Sequence, residues 1–131
     1  MKEQDLSRDS TQPPPRLQRL RRKADFETVY ARGRRVPGRF FIGYYLLHEG
    51  GPLRLGVVAS RRVGSATRRN RAKRRLREVF RKNEPPDPVA ADVVLIARNA
   101  IVEASFEEID RAYVRGVGRA LEESCQRPQD P

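Results

Sequence analysis

The stretch "RRNRAKRRLREVFRK", Arg68 to Lys82, holds nine Lys or Arg among its fifteen residues and a single acid, Glu78. Like charges at helical spacing repel, so an isolated helix of this composition is weak. Set out at about 100° per residue, however, Ala72, Leu76, Val79 and Phe80 fall within one arc, which predicts a face packed on a core. The other side carries Asn70, Arg74, Arg77 and Arg81 at spacings of four, three and four, with Arg71 and Lys82 on its flank. These residues form one continuous stripe. Tertiary packing must hold such a helix, and a polyanion would relieve it.

The charge of the whole chain gathers here. Of a net +11 over 131 residues, Ser60 to Lys82 contributes +10, from eleven bases and one acid; the other 108 residues carry 17 bases and 16 acids. A solvated helix face ordinarily mixes signs, so a single-sign stripe reads as a nucleic-acid contact. Arginine outnumbers lysine within it, which favours bidentate phosphate contacts and stacking. Asn70 both donates and accepts. It suits a base edge, a ribose hydroxyl or a hydrated metal, and equally a hydrogen bond at the helix N-terminus.

On either side of the basic helix the chain reads as strands and helices. Ser65 is placed to cap the basic helix and "EPPDP" to stop it. Before it, "RFFIGYYLLHE" (Arg39–Glu49) and "LRLGVVASR" (Leu53–Arg61) read as two strands, joined through "GGP" as an antiparallel hairpin. After it, "ADVVLIARN" (Ala91–Asn99) is the continuous apolar run of a strand buried on both faces. Ser105 and Glu108 have the spacing of a capping box, and Phe106, Ile109, Tyr113, Val117 and Ala120 line one side of a final helix. A short helix from Ala24 to Ala31, closed by Gly33, precedes the strands. Residues 1–15 are polar and end in three prolines, the composition of a disordered tail; 126–131 should fray. One nucleic-acid-binding domain, 16–125, remains, an α+β or α/β sandwich without internal repeats.

Composition sets further expectations. The one cysteine, Cys125, allows no intrachain disulfide and points to a reducing compartment. The longest apolar run, "FFIGYYLL", is far shorter than the roughly 20 residues of a membrane span. "MKEQDLSRDSTQPPP" lacks the apolar segment of a signal peptide. These features predict a cytoplasmic protein with neither a membrane partner nor a small-molecule substrate.

Candidate chemistry is that of binding. A protein nuclease needs a general base or clustered carboxylates around a metal. His48, beside Gly50 and Gly51, reads as exposed and structural, and Glu107, Glu108 and Asp110 as complements to a helix N-terminus. Aromatic faces hold single-stranded nucleic acid without reading it, because every base can stack. Phe26 and Tyr30, four apart, share a helix face, and Tyr44 lies on the neighbouring strand. Each could equally fill core, the role assigned to Phe40, Phe41 and Tyr45. Arg61, just past a strand, could steady a phosphate or be an ordinary exposed arginine.

At this point a resemblance is specific. "SRRVGSATRRNRAKRRLREVF", Ser60 to Phe80, resembles the signature of the protein subunit of bacterial ribonuclease P, centred on Arg69, Asn70 and Arg71. "ADFETVYARG" (Ala24–Gly33) and "DVVLIAR" (Asp92–Arg98) are similar to that family's first helix and last strand, in the same order, and the likeness covers roughly Leu17 to Leu121. It implies an α+β fold, a four-stranded sheet with three helices in the order α-β-β-β-α-β-α and a left-handed β-α-β crossover. Sequence reasoning alone would choose the right-handed form. It also implies an endoribonuclease that removes the 5′ leader of precursor tRNA. The RNA subunit performs the hydrolysis, with Mg²⁺ held mainly by that RNA and the substrate, and no catalytic residue comes from the protein. The implied contacts to the RNA subunit are Arg68, Arg69, Asn70, Arg71, Arg74, Arg77 and Arg81. Those to the leader are Phe26, Tyr30, Tyr44 and Arg61, in a cleft between the first helix and the sheet. Ser65 and Arg75 depart from the family pattern, which commonly has an amide or base at the first and an aliphatic residue at the second. The competing readings are a structural ribosomal-RNA binder of similar fold and, more remotely, a binder of double-stranded DNA.

Overall fold

The most apolar strand takes the centre of the sheet. The computed structural model describes residues 17–85 and 89–126, so the tails expected at 1–15 and 126–131 lie outside it except for Gln126. Five strands, β1 (Gln18–Arg19), β2 (Arg34–Val36), β3 (Phe41–Leu47), β4 (Arg54–Val58) and β5 (Ala91–Ala97), are ordered β1-β4-β5-β3-β2. Helix α1 is Lys23–Arg32 and the basic helix α2 is Ala66–Lys82. A third helical body joins α3 (Phe106–Tyr113) and α4 (Arg119–Gln126) through a π turn, Val114–Gly118.

Two expectations about the sheet are corrected. β3 and β4 do not form a hairpin: β5 lies between them, antiparallel to β3 and parallel to β4. Their mutual direction is as expected, but their pairing is not. β5 is buried at every position but Ile96, so it has no face to give to water and is best placed centrally. The 48–53 connection has only to cross two strand spacings, about 10 Å, which six residues span easily. Among the described residues the sheet also has five strands, not four. The additional β1 pairs parallel with the edge of β4, Gln18 N–H donating to Leu53 O at 2.9 Å and Leu20 N–H to Leu55 O at 3.0 Å. Two charged or polar residues carry no periodic signal, and only the burial of Leu20 beside them draws the segment in.

Strand alternation divides the side chains between two unequal layers. Phe41, Tyr45, Leu55, Val93 and Leu95 face the main core, with Leu76, Val79 and Phe80 of α2 and Ile109, Tyr113, Val117 and Leu121 of the last helical body. The π turn seats Val117 against Gly43, where any side chain would collide with it. The other layer is small: Leu20, Val29 and Val94 are buried, and Phe26, Tyr44, Leu46, Val58 and Ile96 are only partly covered. Ten-residue α1 is too short to roof that face.

Local signals act as read. Ser65 Oγ accepts the Arg68 N–H at 3.3 Å, and Ser105 and Glu108 exchange both bonds of a capping box. Ala72, Leu76, Val79 and Phe80 are all buried. At about 1.5–3 kcal/mol for each large side chain, that burial outweighs the repulsion along the stripe. Phe40, Phe41 and Tyr45 are core residues.

Candidate nucleic-acid interface

The first surface is the outer side of α2. Asn70, Arg71, Arg74 and Arg81 are exposed together, and Arg77 is half-buried among them. Burial, and then the nearby charge of Arg19, lower the pKa of Arg77 from the arginine norm. Arg19 therefore brings a base from β1 beside the stripe, an addition invisible without the fifth strand. Arg68 is exposed near the helix start, beside a polar cavity that Arg39 and Arg62 also line. Arg69 stands apart. It falls on the core-side arc, is half-buried and donates from Nη1 to the Gly64 carbonyl at 2.9 Å, bracing the entry to α2. Arg75 likewise donates to Ala104 O at 2.7 Å.

The stripe ends at Arg81, because the next base is neutralised. Lys82 Nζ donates to Asp110 Oδ2 at 2.9 Å, and Asn83 Nδ2 to Asp110 Oδ1 at 2.8 Å. The Asn83 hydrogen bond, reinforced by Lys82, holds the Asp110 carboxyl below its ordinary value. Asp110 thus ties α3 to the end of α2 instead of complementing a helix N-terminus.

The second surface lies across the sheet. Phe26, Tyr30 and Tyr44 come together: the Tyr30 and Tyr44 rings meet edge to face at 5.1 Å between centroids, and Phe26 is 6.4 Å from Tyr30. Tyr30 is 38% exposed, too open for a core aromatic. Burial first, and Tyr44 second, raise its pKa. Val58 and Ile96, half-exposed, continue the apolar floor that α1 leaves open. Arg61 is exposed in a short 3-10 turn, Arg61–Val63, at the end of β4 next to α2.

A clamp fixes the helix over this floor. Arg54 reaches Asp92 with two bonds, Nε to Oδ1 at 2.8 Å and Nη2 to Oδ2 at 2.7 Å, while Nη1 reaches Asp25 Oδ2 on α1 at 3.3 Å. The hydrogen bond to Asp92 is the leading cause of the raised Arg54 pKa. His48 joins it, Nε2 being 3.3 Å from Asp92 Oδ1 and Nδ1 donating to the Gly50 carbonyl at 2.7 Å. His48 is therefore half-buried, not exposed as its glycine neighbours suggested. Sequence reading missed this group because it joins three distant segments, Asp25 on α1, His48 and Arg54 around the 48–53 connection, and Asp92 on β5, which only the fold brings together. Among the described residues no three His, Cys, Asp or Glu side chains converge as a metal site.

Known proteins share both sequence and fold. Residues 15–121 match the family model described as Ribonuclease P. The ribonuclease P protein component of Thermotoga petrophila is 38% identical over 95 residues, covering 72% of this chain and 80% of that protein. That of Symbiobacterium thermophilum is 41% identical over 92 residues, covering 70% and 80%. The structure of the Staphylococcus aureus RNase P protein superposes with a TM-score of 0.69 at 30% identity, over 78% of this chain and 94% of that one. The Thermotoga maritima RNase P protein gives 0.66 at 30%, over 75% and 93%. A basic helix packed by one face, an open aromatic cleft on the other side of the sheet, and this agreement along nearly the whole described chain lead to one conclusion: the chain belongs to the ribonuclease P protein family.

Proposed function

We infer that the chain holds two RNAs on two separate surfaces, the ribonuclease P RNA subunit on the α2 stripe and the single-stranded 5′ leader of precursor tRNA in the α1 cleft. As a member of its family it serves tRNA processing in the ribonuclease P holoenzyme, an endoribonuclease whose catalytic subunit is RNA. The observation that carries the division of labour is the row Phe26–Tyr30–Tyr44, left half-open by a helix too short to cover it. A row of this kind suits a strand of varied sequence, because every base has a face that can stack.

The stripe supplies phosphate neutralisation. Arg71, Arg74, Arg77 and Arg81 present guanidinium forks to the RNA backbone, and Asn70 offers both a donor and an acceptor among them. Arg69 serves the same contact indirectly, by holding the Gly64 carbonyl and hence the start of the helix. Arg61, exposed in the turn after β4, takes a leader phosphate in this reading. Mg²⁺ belongs to the RNA subunit and the substrate in this reading. The protein's part is to lower the repulsion between two polyanions, so that less Mg²⁺ is needed. The left-handed crossover from β4 through α2 to β5 is proposed on the same resemblance.

The test is cleavage of precursor tRNA by each component. RNA-free protein should be inactive, and the same protein should stimulate its cognate RNA subunit most strongly at low Mg²⁺. Cleavage by rigorously RNA-free protein would contradict the reading. Copurification with ribosomal RNA in place of a ribonuclease P RNA would support the competing binder.

A further inference from the structure

We propose that Arg35, on the edge strand β2, forms an outer phosphate subsite of the leader cleft, one contact beyond the aromatic row. The proposal rests on the leader reading and extends it. Arg35 is the direct cross-strand partner of Tyr44 in the antiparallel β2–β3 pair. Such partners share a face of the sheet, with Cβ atoms about 4.5–5.5 Å apart. Arg35 therefore rises on the same side as Tyr44, whose ring meets Tyr30. It is exposed, and among the described residues none of the ion pairs uses it.

The place of β2 in the sheet gives Arg35 its order along the ligand. Arg61 and the start of α2 follow β4, and β2 stands three strand positions away at the far edge. Three spacings amount to about 14 Å. A strand entering from the α2 side meets Arg61 first, then the aromatic row, and Arg35 last. The ligand chemistry is a phosphodiester, which a planar guanidinium grips with two parallel donors. Sequence reading passed over this residue because "RRV" before a proline carries no strand signal, and without a strand there is no face to assign.

Arg34 provides an internal control. It carries the same charge one residue away, but pairs with Tyr45, a buried residue of the opposite face whose hydroxyl is 2.9 Å from Ser124 Oγ. Diffuse attraction would treat the two arginines alike; a built subsite would not.

The experiment measures holoenzyme affinity for precursor tRNAs whose leaders are lengthened one nucleotide at a time, for the unmodified protein and for Arg35→Ala, Arg34→Ala and Tyr44→Ala, across a salt series. Arg35→Ala should match the unmodified protein on short leaders and bind roughly tenfold more weakly once the leader passes a threshold length, the effect of one charge-assisted contact. Beyond that threshold its log–log salt slope should be shallower by about 0.7, one single-strand phosphate. Arg34→Ala should show no such length dependence. Equal behaviour of the two arginine variants at every length would overturn the subsite while leaving the cleft in place. An unimpaired Tyr44→Ala on leader-bearing substrate would remove the cleft reading itself, and the subsite with it.

Discussion

Phe26 rests on Gly56: a Cβ on that glycine would lie 2.5 Å from two of the ring carbons and 3.2 Å from Leu20 Cβ. A bare strand position gives the ring its seat and lets α1 approach the sheet closely. Gly56→Ala should lift the ring, lowering stability by about 1–3 kcal/mol, the usual cost of overpacking. It should also weaken holoenzyme binding to leader-bearing tRNA without changing affinity for the RNA subunit. Denaturant unfolding and substrate titration check the two effects. Unchanged leader affinity would show that Phe26 is only a packing residue.

The Arg54 fork holds β4, β5 and α1 together, and its members are unequally exposed: Asp92 is 5% exposed as a residue, whereas the Asp25 side chain is 31% exposed. Removing the arginine takes both charge-assisted bonds from a buried carboxylate and leaves it only His48 Nε2, 3.3 Å away. Arg54→Ala should therefore cost about 3 kcal/mol in equilibrium unfolding, the lower end for a broken buried pair. Asp25→Ala loses only the more exposed arm and should cost less than about 1 kcal/mol. Similar losses in both would place the stabilising contact on α1 and not within the sheet.

Asp110 gives the acid limb of stability a specific origin. The Asn83 hydrogen bond, and then Lys82, hold its carboxyl below the ordinary aspartate range in the folded protein. The unfolded chain therefore binds the proton more readily. This contribution is fully present above the unfolded pKa and disappears as pH falls through the folded one. Asp110→Asn should leave a flatter decline of melting temperature below about pH 4 than the unmodified protein shows. An identical decline would assign the acid sensitivity to other carboxylates.

Much of this arrangement is legible in the sequence where the signal is local. The packed face of α2, its Ser65 cap, the capping box at Ser105 and the two-sided burial of β5 all follow from residues within a few positions of one another. What escapes is set by register. β5 displaces the expected hairpin because the buried strand competes for the centre of the sheet, a comparison between segments some forty residues apart. Arg54, Asp92, His48 and Asp25 become one cluster only after that placement. Arg69 shows the limit within a helix: its arc is readable, but its bond to the Gly64 carbonyl depends on the turn that precedes the helix.

Salt tests the stripe. With about five cations free to displace counterions, the affinity of protein for RNA subunit should fall with a log–log slope of about −4 to −5. Arg71→Ala and Arg74→Ala should each make the slope shallower by nearly one. Lys82→Ala should not, because Asp110 already occupies that charge. A slope near zero would make the stripe an ordinary solvated face.

The separation of the two surfaces is tested most directly by comparing Tyr44→Ala and Arg74→Ala holoenzymes on precursor tRNA with a leader of several nucleotides and on mature tRNA. Both variants must first show unchanged thermal unfolding. Tyr44→Ala should lose about 1–3 kcal/mol of affinity for the leader-bearing substrate, the range for one base–aromatic stack, and almost none for mature tRNA. Its affinity for the RNA subunit should be intact. Arg74→Ala should bind the RNA subunit more weakly and act poorly on every substrate, with activity restored as protein concentration rises. Equal losses by Tyr44→Ala on leader-bearing and mature tRNA, or a deficit in Arg74→Ala that excess protein does not repair, would contradict a protein that holds the leader on one surface and the catalytic RNA on another.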